Sequence, residues 1–424
     1  MVQPEEPTDA SPEREDASQK DAPEPTVAEP SATERAPDPA NPGRRSLLRT
    51  VALVVFAFVL LWFTRREIIE GYQIPTHSME PTFRGDPDGD KVIVYKKPFL
   101  FREPKRWEIA VFRRQGEPGA FVKRIAGLPG EQLWIGEGDV YINGEIERKP
   151  DEVQADLLIP VYVEGLERQP FQRSWAPGRE RGFGWNDRDG SMVVETSDTM
   201  EFQYRREVRD GFVGDDGAWN AGRNAVGDLR LELELTPTSD SGAVVVLLRR
   251  DGSWFEVLVP FGSGSPEIRM PGSRADLSNV EPLERGRRVR LTVTHIDLRL
   301  TVAVDGRKLH SYDYSSLVPL EDSGRGRNEA AFGIVAGSAR FHDLSLYRDL
   351  YYTASGECGV TRQAIIPGGS DASSRRYFLL GDNSGNSRDS RFWGDSLQAT
   401  VPFSDFIGVP VAVFWPPRRA RFVP

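Results

Sequence analysis

Three stretches of the sequence carry residues whose types and spacing could do chemistry. The first is Ile74-Pro75-Thr76-His77-Ser78-Met79-Glu80-Pro81-Thr82. Pro75 and Pro81 push Ile74 and Glu80 into extended backbone and each removes a donor, so Ser78 sits on a stiff, non-helical segment. A serine held this way is either a loop residue or a nucleophile. The second stretch is Phe121-Val122-Lys123-Arg124-Ile125, read as a strand. Alternation puts Phe121, Lys123 and Ile125 on one face and Val122 and Arg124 on the other. A lysine between two apolar neighbours is either an edge residue whose ammonium reaches water, or a buried amine made neutral enough by desolvation to act as a base. The third stretch, Gly381 to Arg391, is dense in Asp, Asn, Ser and Arg, groups that hydrogen-bond to backbone and to one another.

Other chemistries are poorly supported. The four histidines, His77, His295, His310 and His342, lack ligand spacing, which disfavours both a His-based metal site and a Ser-His-Asp triad. The one cysteine, Cys358, excludes an intramolecular disulfide and a Cys-rich zinc site, so neither metal nor cofactor is expected. A formal charge of -10 argues against a nucleic-acid partner. A nucleophile in this chain would need a base other than histidine.

With 424 residues the chain should hold two or three domains. Residues 1–45 are rich in Pro, Glu, Asp, Ala and Ser, and are expected to be a disordered acidic tail. The apolar run Val51 to Phe63, begun near Leu47 with Arg49 snorkelling and closed by Thr64-Arg65-Arg66, is read as one uncleaved transmembrane helix over residues 46–64. The excess of Arg44, Arg45 and Arg49 before it places the tail in the cytoplasm and the remainder outside. From Lys91 the pattern is of strands, and Asn143-Gly144 marks a hairpin. Residues 151–228 read as irregular. Strands then return in another style, with Leu229, Leu231, Leu233 and Leu235 alternating with Arg and Glu, and Asp305-Gly306 closing a hairpin. After Tyr351 the first style resumes. A β-sandwich over 151–350, inserted between two parts of one fold at 65–150 and 351–424, explains this layout.

Taken together, the three stretches resemble type I signal peptidases, in several boxes and in their order. Ser78-Met79-Glu80-Pro81-Thr82 looks like the nucleophile box and Glu103-Pro104-Lys105-Arg106 through Val111-Phe112 like the strand pair after it. Lys123 through Glu131 resembles the lysine box, and Gly381-Asp382-Asn383 with Asn386-Ser387 and Asp389-Ser390-Arg391 resembles the last. The resemblance implies a mainly β fold with a peptidase barrel core and a Ser/Lys dyad, Ser78 as nucleophile and Lys123 as general base. It implies an oxyanion hole from the Ser78 N–H and the hydroxyl of Thr76, where the family more often has serine. Ser387 would orient the lysine, with Asp382, Asp389, Arg391 and Arg124 supporting, and Ile74, Pro75, Met79, Phe83, Phe121 and Val122 would line the substrate pockets. His77 and Ser384-Gly385 depart from the family pattern without removing a catalytic group. The inserted segment looks in its later half like a concanavalin-A/laminin-G sandwich.

The expectation is therefore a membrane-anchored serine endopeptidase, single-pass in a bacterial cytoplasmic membrane with its catalytic domain on the outer face. Its partners would be exported preproteins, membrane lipid, and a glycan or cell-envelope ligand at the insert. Two alternatives stand beside it. One is a tethered binding protein on a peptidase scaffold. The other is a self-cleaving peptidase of the repressor type, against which the lack of a DNA-binding half counts.

Overall fold

A computed structural model describes residues 42–85, 88–163, 171–177, 183–186, 191–214, 219–220, 222–250, 253–314 and 328–423. The expected tail lies outside them but for its last residues. The chain divides into two units, residues 1–60 and 61–424.

A helix of 26 residues, α1 (Pro42–Glu67), forms where a membrane span was expected. Among the described residues, however, no helix is long and apolar enough to cross a membrane. The uninterrupted apolar run from Val51 to Phe63 rises only about 20 Å at 1.5 Å per residue, short of a hydrocarbon core of roughly 30 Å. Arg49 and Thr50 bound the run on one side and Thr64, Arg65 and Arg66 on the other. This corrects the expected transmembrane segment, and with it the membrane anchor, the single-pass location in a bacterial cytoplasmic membrane and the outer-face orientation.

Beyond the helix the fold is mainly β. Strands β1 (Ile69–Gln73), β2 (Lys91–Tyr95), β3 (Ile109–Phe112) and β4 (Phe121–Gly127) share one eight-stranded sheet with strands from the far end of the sequence. Phe406–Trp415 lies between β2 and β3, and Arg376–Leu380 lies beside β4, all pairings being antiparallel. Register shifts within Phe406–Trp415 let it serve both halves of a curled sheet. Residues on the two sides of the insert thus complete one another's hydrogen bonding. A smaller four-stranded sheet carries the Asn143-Gly144 hairpin, in which both residues have φ > 0.

The insert is a β-sandwich whose strands join into one thirteen-stranded sheet. Leu229, Leu231, Leu233 and Leu235 are fully buried, as their alternation predicts. Burial of each contributes about 2 kcal/mol. The runs around Ala331 and Phe341, which read as separate strands, form a single strand of 20 residues, Glu329–Arg348. Its first half runs between Ser191–Tyr204 and Ala243–Arg250, and its second half joins Leu229–Pro237 to Ile159–Val163. The stretch expected to be irregular holds the 14-residue strand Ser191–Tyr204. Its alternation is broken by a bulge between Thr196 and Thr199, which hides the strand from a period-two reading.

Buried ion pairs fix the insert to the peptidase core. Arg250, only 2% exposed, donates to the carboxylates of Asp228 and Asp139 and to the carbonyl of Glu137. Lys149 donates to Asp297 and Asp349, at 2.7 Å each. Asp139, Asp228 and Asp297 converge within 4.8 Å, but Arg250 and Lys149 already supply their cations.

Candidate active site

Ser78 lies in the single helical turn His77–Met79, in which the N–H of Glu80 donates to the His77 carbonyl and that of Phe83 to the Met79 carbonyl. Met79 and Phe83 are buried in a cluster with Ile74, Val92, Val94, Ile109, Val111 and Val413, which anchors the turn from below. Gly85 lies so close that a Cβ there would stand 1.9 Å from the Thr76 carbonyl oxygen, so only glycine fits.

Lys123 comes from the middle of β4 and is 4% exposed; burial along the strand does not alternate as expected, since Arg124 on the opposite face is buried too and Phe121 only partly. Its Nζ donates to the Oγ of Ser78 at 2.5 Å. Burial is the main influence on the amine and lowers its pKa to about 8; the carboxylates of Asp389 and Asp382 pull it up and Arg391 pulls it down. The Oγ1 of Thr76 lies 3.2 Å from the Oγ of Ser78.

The loop Gly381–Arg391 closes over this pair. The N–H of Asn383 donates to the Ser78 carbonyl at 3.1 Å and its side-chain amide to the His77 carbonyl at 2.9 Å. Arg124 donates through Nε and Nη2 to Asp382 at 2.8 and 2.6 Å. Arg391, fully buried, donates through Nε and Nη2 to Asp389 at 2.8 Å each, and Asp389 accepts the N–H of Gly381 at 3.0 Å. Gly381 is wedged in place: a Cβ there would stand 2.2 Å from the Ser387 Oγ and 2.5 Å from the Ser78 carbonyl oxygen.

The structure thus brings Ser78, Lys123, Thr76, Asp382, Asp389, Arg391 and Arg124 into one network. Ser387 is buried beside Gly381, but its hydroxyl has no hydrogen-bond partner among the described residues. The six expected pocket residues are divided. Ile74, Met79 and Phe83 share one apolar cluster, with Val122 against its edge; Phe121 packs on Phe112 in another, and Pro75 is exposed. A groove of 860 Å³, lined by Glu70, Tyr72, Arg113, Gly119 and Ala120 among others, contains neither Ser78 nor Lys123.

Sequence reasoning missed four contributors. Thr82 donates to Asp382, and the carbonyl of Trp107 accepts from Arg124 at 2.6 Å. Thr353 and Ser384 accept from Arg391. Thr82 and Ser384 stand inside motifs already singled out, where their hydroxyls were the available signal. Nothing around Thr353 marks it.

The signal peptidase, peptidase S26, family matches residues 47–172 and 348–415, the first segment running into the start of the insert. Signal peptidase I of Leptolyngbya laminosa is 35% identical over 165 residues, covering 36% of this chain and 74% of that protein. The chain belongs to the signal peptidase family. Within that family, a probable signal peptidase I-2 of Synechocystis sp. is 34% identical over 112 residues, and signal peptidase I of Bacillus licheniformis 32% over 107. Each covers 25% of this chain, which spans 50% and 56% of their respective lengths. Outside the family segments, solved structures similar to the insert include a carbohydrate-binding module from Bacillus subtilis. It has a TM-score of 0.29 at 11% identity, covering 41% of this chain and 94% of the module. A galectin-like protein from the same organism has a TM-score of 0.31 at 11% identity, covering 45% of this chain and 96% of that one. These likenesses do not reach a ligand.

Proposed function

We propose that this member of the signal peptidase family is a serine endopeptidase that removes signal peptides from exported preproteins, with Ser78 as nucleophile and Lys123 as general base. The observation that carries the reading is the 2.5 Å contact between the Nζ of a buried lysine and the Oγ of Ser78. In the neutral form Lys123 takes the hydroxyl proton as Oγ attacks the scissile carbonyl. The oxyanion accepts from the Ser78 N–H and the Thr76 hydroxyl. Collapse breaks the C–N bond, and Lys123 passes its proton to the leaving amine. Water, deprotonated by Lys123, then attacks the acyl carbon; the C–Oγ bond breaks and Lys123 returns the proton to the Oγ of Ser78. Asp382 with Arg124, and Asp389 with Arg391, hold the loop against the nucleophile turn.

Ile74, Met79, Phe83 and Val122 offer an apolar wall for small side chains before the cleaved bond, with Pro75 and Phe121 at its margins. Ser387 is assigned to orienting the lysine once substrate is bound. Residues 65–150 and 351–424 are assigned to the peptidase part, and 151–350 to the insert.

The test is cleavage of a synthetic preprotein after a small-x-small motif, read by mass spectrometry. Ser78→Ala and Lys123→Ala should each abolish it; near-wild-type cleavage by either variant would remove the dyad.

A further inference from the structure

Two arginine–aspartate pairs lie near the candidate base, and one of them, Arg391–Asp389, is held from an unexpected direction. Arg391, besides its pair with Asp389, donates through Nη1 to the carbonyl of Thr353 at 2.9 Å and to its Oγ1 at 2.7 Å. The N–H of Thr353 donates to the Oγ of Ser384 at 2.7 Å, and that same oxygen accepts from Arg391 at 2.7 Å. Thr353, though 36 residues upstream in the chain of Asp389, is therefore as much a ligand of the guanidinium as the loop itself.

Its neighbour Tyr352 serves the other pair. Tyr352 is 1% exposed and its ring stacks on Trp107 at 6.4 Å, the residue whose carbonyl holds Arg124 against Asp382. The Tyr352 phenol is pushed up by burial first and then by the Asp382 carboxylate, which places it in the field of that pair. Lys149 and Asp349 also act on the phenol electrostatically, and Asp349 accepts from Lys149 and from Gln154. The N–H of Tyr352 donates to the carbonyl of Gly138 at 3.0 Å, fixing the backbone between the two side chains.

The position of this dipeptide in the chain gives the contacts their meaning. The last strand of the inserted sandwich ends at Arg348, whose guanidinium grips the carbonyls of Asp210, Gly211 and Asp349. Three residues separate that strand end from Tyr352 and four from Thr353. The exit of the insert thus ligates the Arg391–Asp389 pair directly through Thr353, and reaches the Arg124–Asp382 pair only through the stack of Tyr352 on Trp107.

We propose that Thr353, backed by Tyr352, is a positioning residue for the Ser78–Lys123 site, holding the Arg391–Asp389 pair in register from the exit of the inserted sandwich. It touches neither substrate nor reacting atoms. The proposal rests on the endopeptidase reading given above. Its route is physical: Thr353 fixes Arg391, Arg391 fixes Asp389, and Asp389 fixes the N–H of Gly381, which is wedged against the Ser78 carbonyl. A guanidinium released from Thr353 also leaves the Asp389 carboxylate less neutralised, which favours the charged amine.

The experiment compares the full chain with Thr353→Val, which keeps the shape and removes the hydroxyl, and Thr353→Ser, which restores it. Cleavage of a small-x-small preprotein is followed across pH, with thermal melting in parallel. Thr353→Val is expected to lower kcat about tenfold with KM within about twofold, the loss of one hydrogen bond to a charged group. The acid limb of kcat should move about half a unit to higher pH, and Thr353→Ser should return both to the wild-type values. A Thr353→Val protein that melts lower but keeps kcat per folded molecule and an unmoved acid limb would overturn the proposal. Wild type and Ser78→Ala run beside these variants: cleavage by neither, or by both, removes the endopeptidase reading and this proposal together. Cleavage by wild type alone with an unchanged Thr353→Val removes only the proposal.

Discussion

The Nζ of Lys123 and the Oγ of Ser78, 45 residues apart in sequence, meet at 2.5 Å, with Lys123 4% and Ser78 9% exposed. Desolvation disfavours the ammonium and brings its pKa to about 8, against the pull of Asp389 and Asp382.

The pH dependence of cleavage follows from that relationship. The neutral amine is the base, so kcat should rise with pH through about 8 and level off above it. Two units below the midpoint the neutral fraction is about one hundredth, and kcat at pH 6 should be lower than the plateau by roughly that factor. Lys123→Arg keeps a charge but offers no lone pair and should be inactive at every pH. A flat profile between pH 6 and 9 would contradict the assignment of Lys123 as base.

The same burial makes Lys123 a destabilising residue. Its folded-state pKa is lowered from 10.5 to about 8, so between those values the unfolded chain binds a proton that the folded chain does not. Stability therefore increases as pH rises through this window, and the cost is fully present below about 8. Lys123→Met removes the cost and should be more stable at pH 7 by up to about 3 kcal/mol, a gain that shrinks toward pH 10. Urea denaturation of both proteins at pH 7 and pH 10 measures it; a less stable variant at pH 7 would be the contrary result.

Much of the site was legible in the sequence because its groups sit on local patterns. The apolar neighbours of Lys123 marked it as a candidate buried amine, whereas the two prolines read as holding the Ser78 segment non-helical in fact flank a short helical turn, His77–Met79, whose three residues fit between them. Asp389 and Arg391 stand two residues apart in one short loop, so their pairing is local, whereas Asp382 pairs with Arg124 from the distant strand β4. Thr353 was invisible for the opposite reason: its role arises from where the insert's last strand ends, which no local pattern encodes. Likewise the bulge near Thr196 hid a 14-residue strand, and the apolar run after Arg49 suggested a membrane span longer than its side chains provide. Ser387 shows a further limit, since its expected partner is a lysine that the structure places on Ser78 instead.

Gly381 should tolerate no side chain. A methyl group there would stand 2.2 Å from the Ser387 Oγ and 2.5 Å from the Ser78 carbonyl oxygen, and the backbone oxygen cannot rotate away. Gly381→Ala is expected to cost about 1–3 kcal/mol of stability by overpacking. The larger effect should be on kcat, about a hundredfold, because a shift near 1 Å at the nucleophile spoils its attack geometry. Cleavage per folded molecule within twofold of wild type would show that the loop absorbs the methyl group.

The joint between insert and core is the last place where a single side chain decides much. Arg250 is shared by Asp228 of the insert and Asp139 of the core, all three being buried. Arg250→Met keeps most of the apolar stem but leaves two carboxylates without their cation, which should cost about 3–5 kcal/mol at pH 7. Burial already raises the pKa of Asp228 well above the ordinary range, with Arg250 the main opposing influence. Without Arg250 it rises further, so the folded variant takes up protons that the unfolded chain does not bind until lower pH. Its stability then increases as pH falls, and the deficit relative to wild type should be smaller at pH 5 than at pH 7. Urea midpoints for the two proteins at both pH values test this, and equal midpoints at pH 7 would show that the joint does not depend on Arg250.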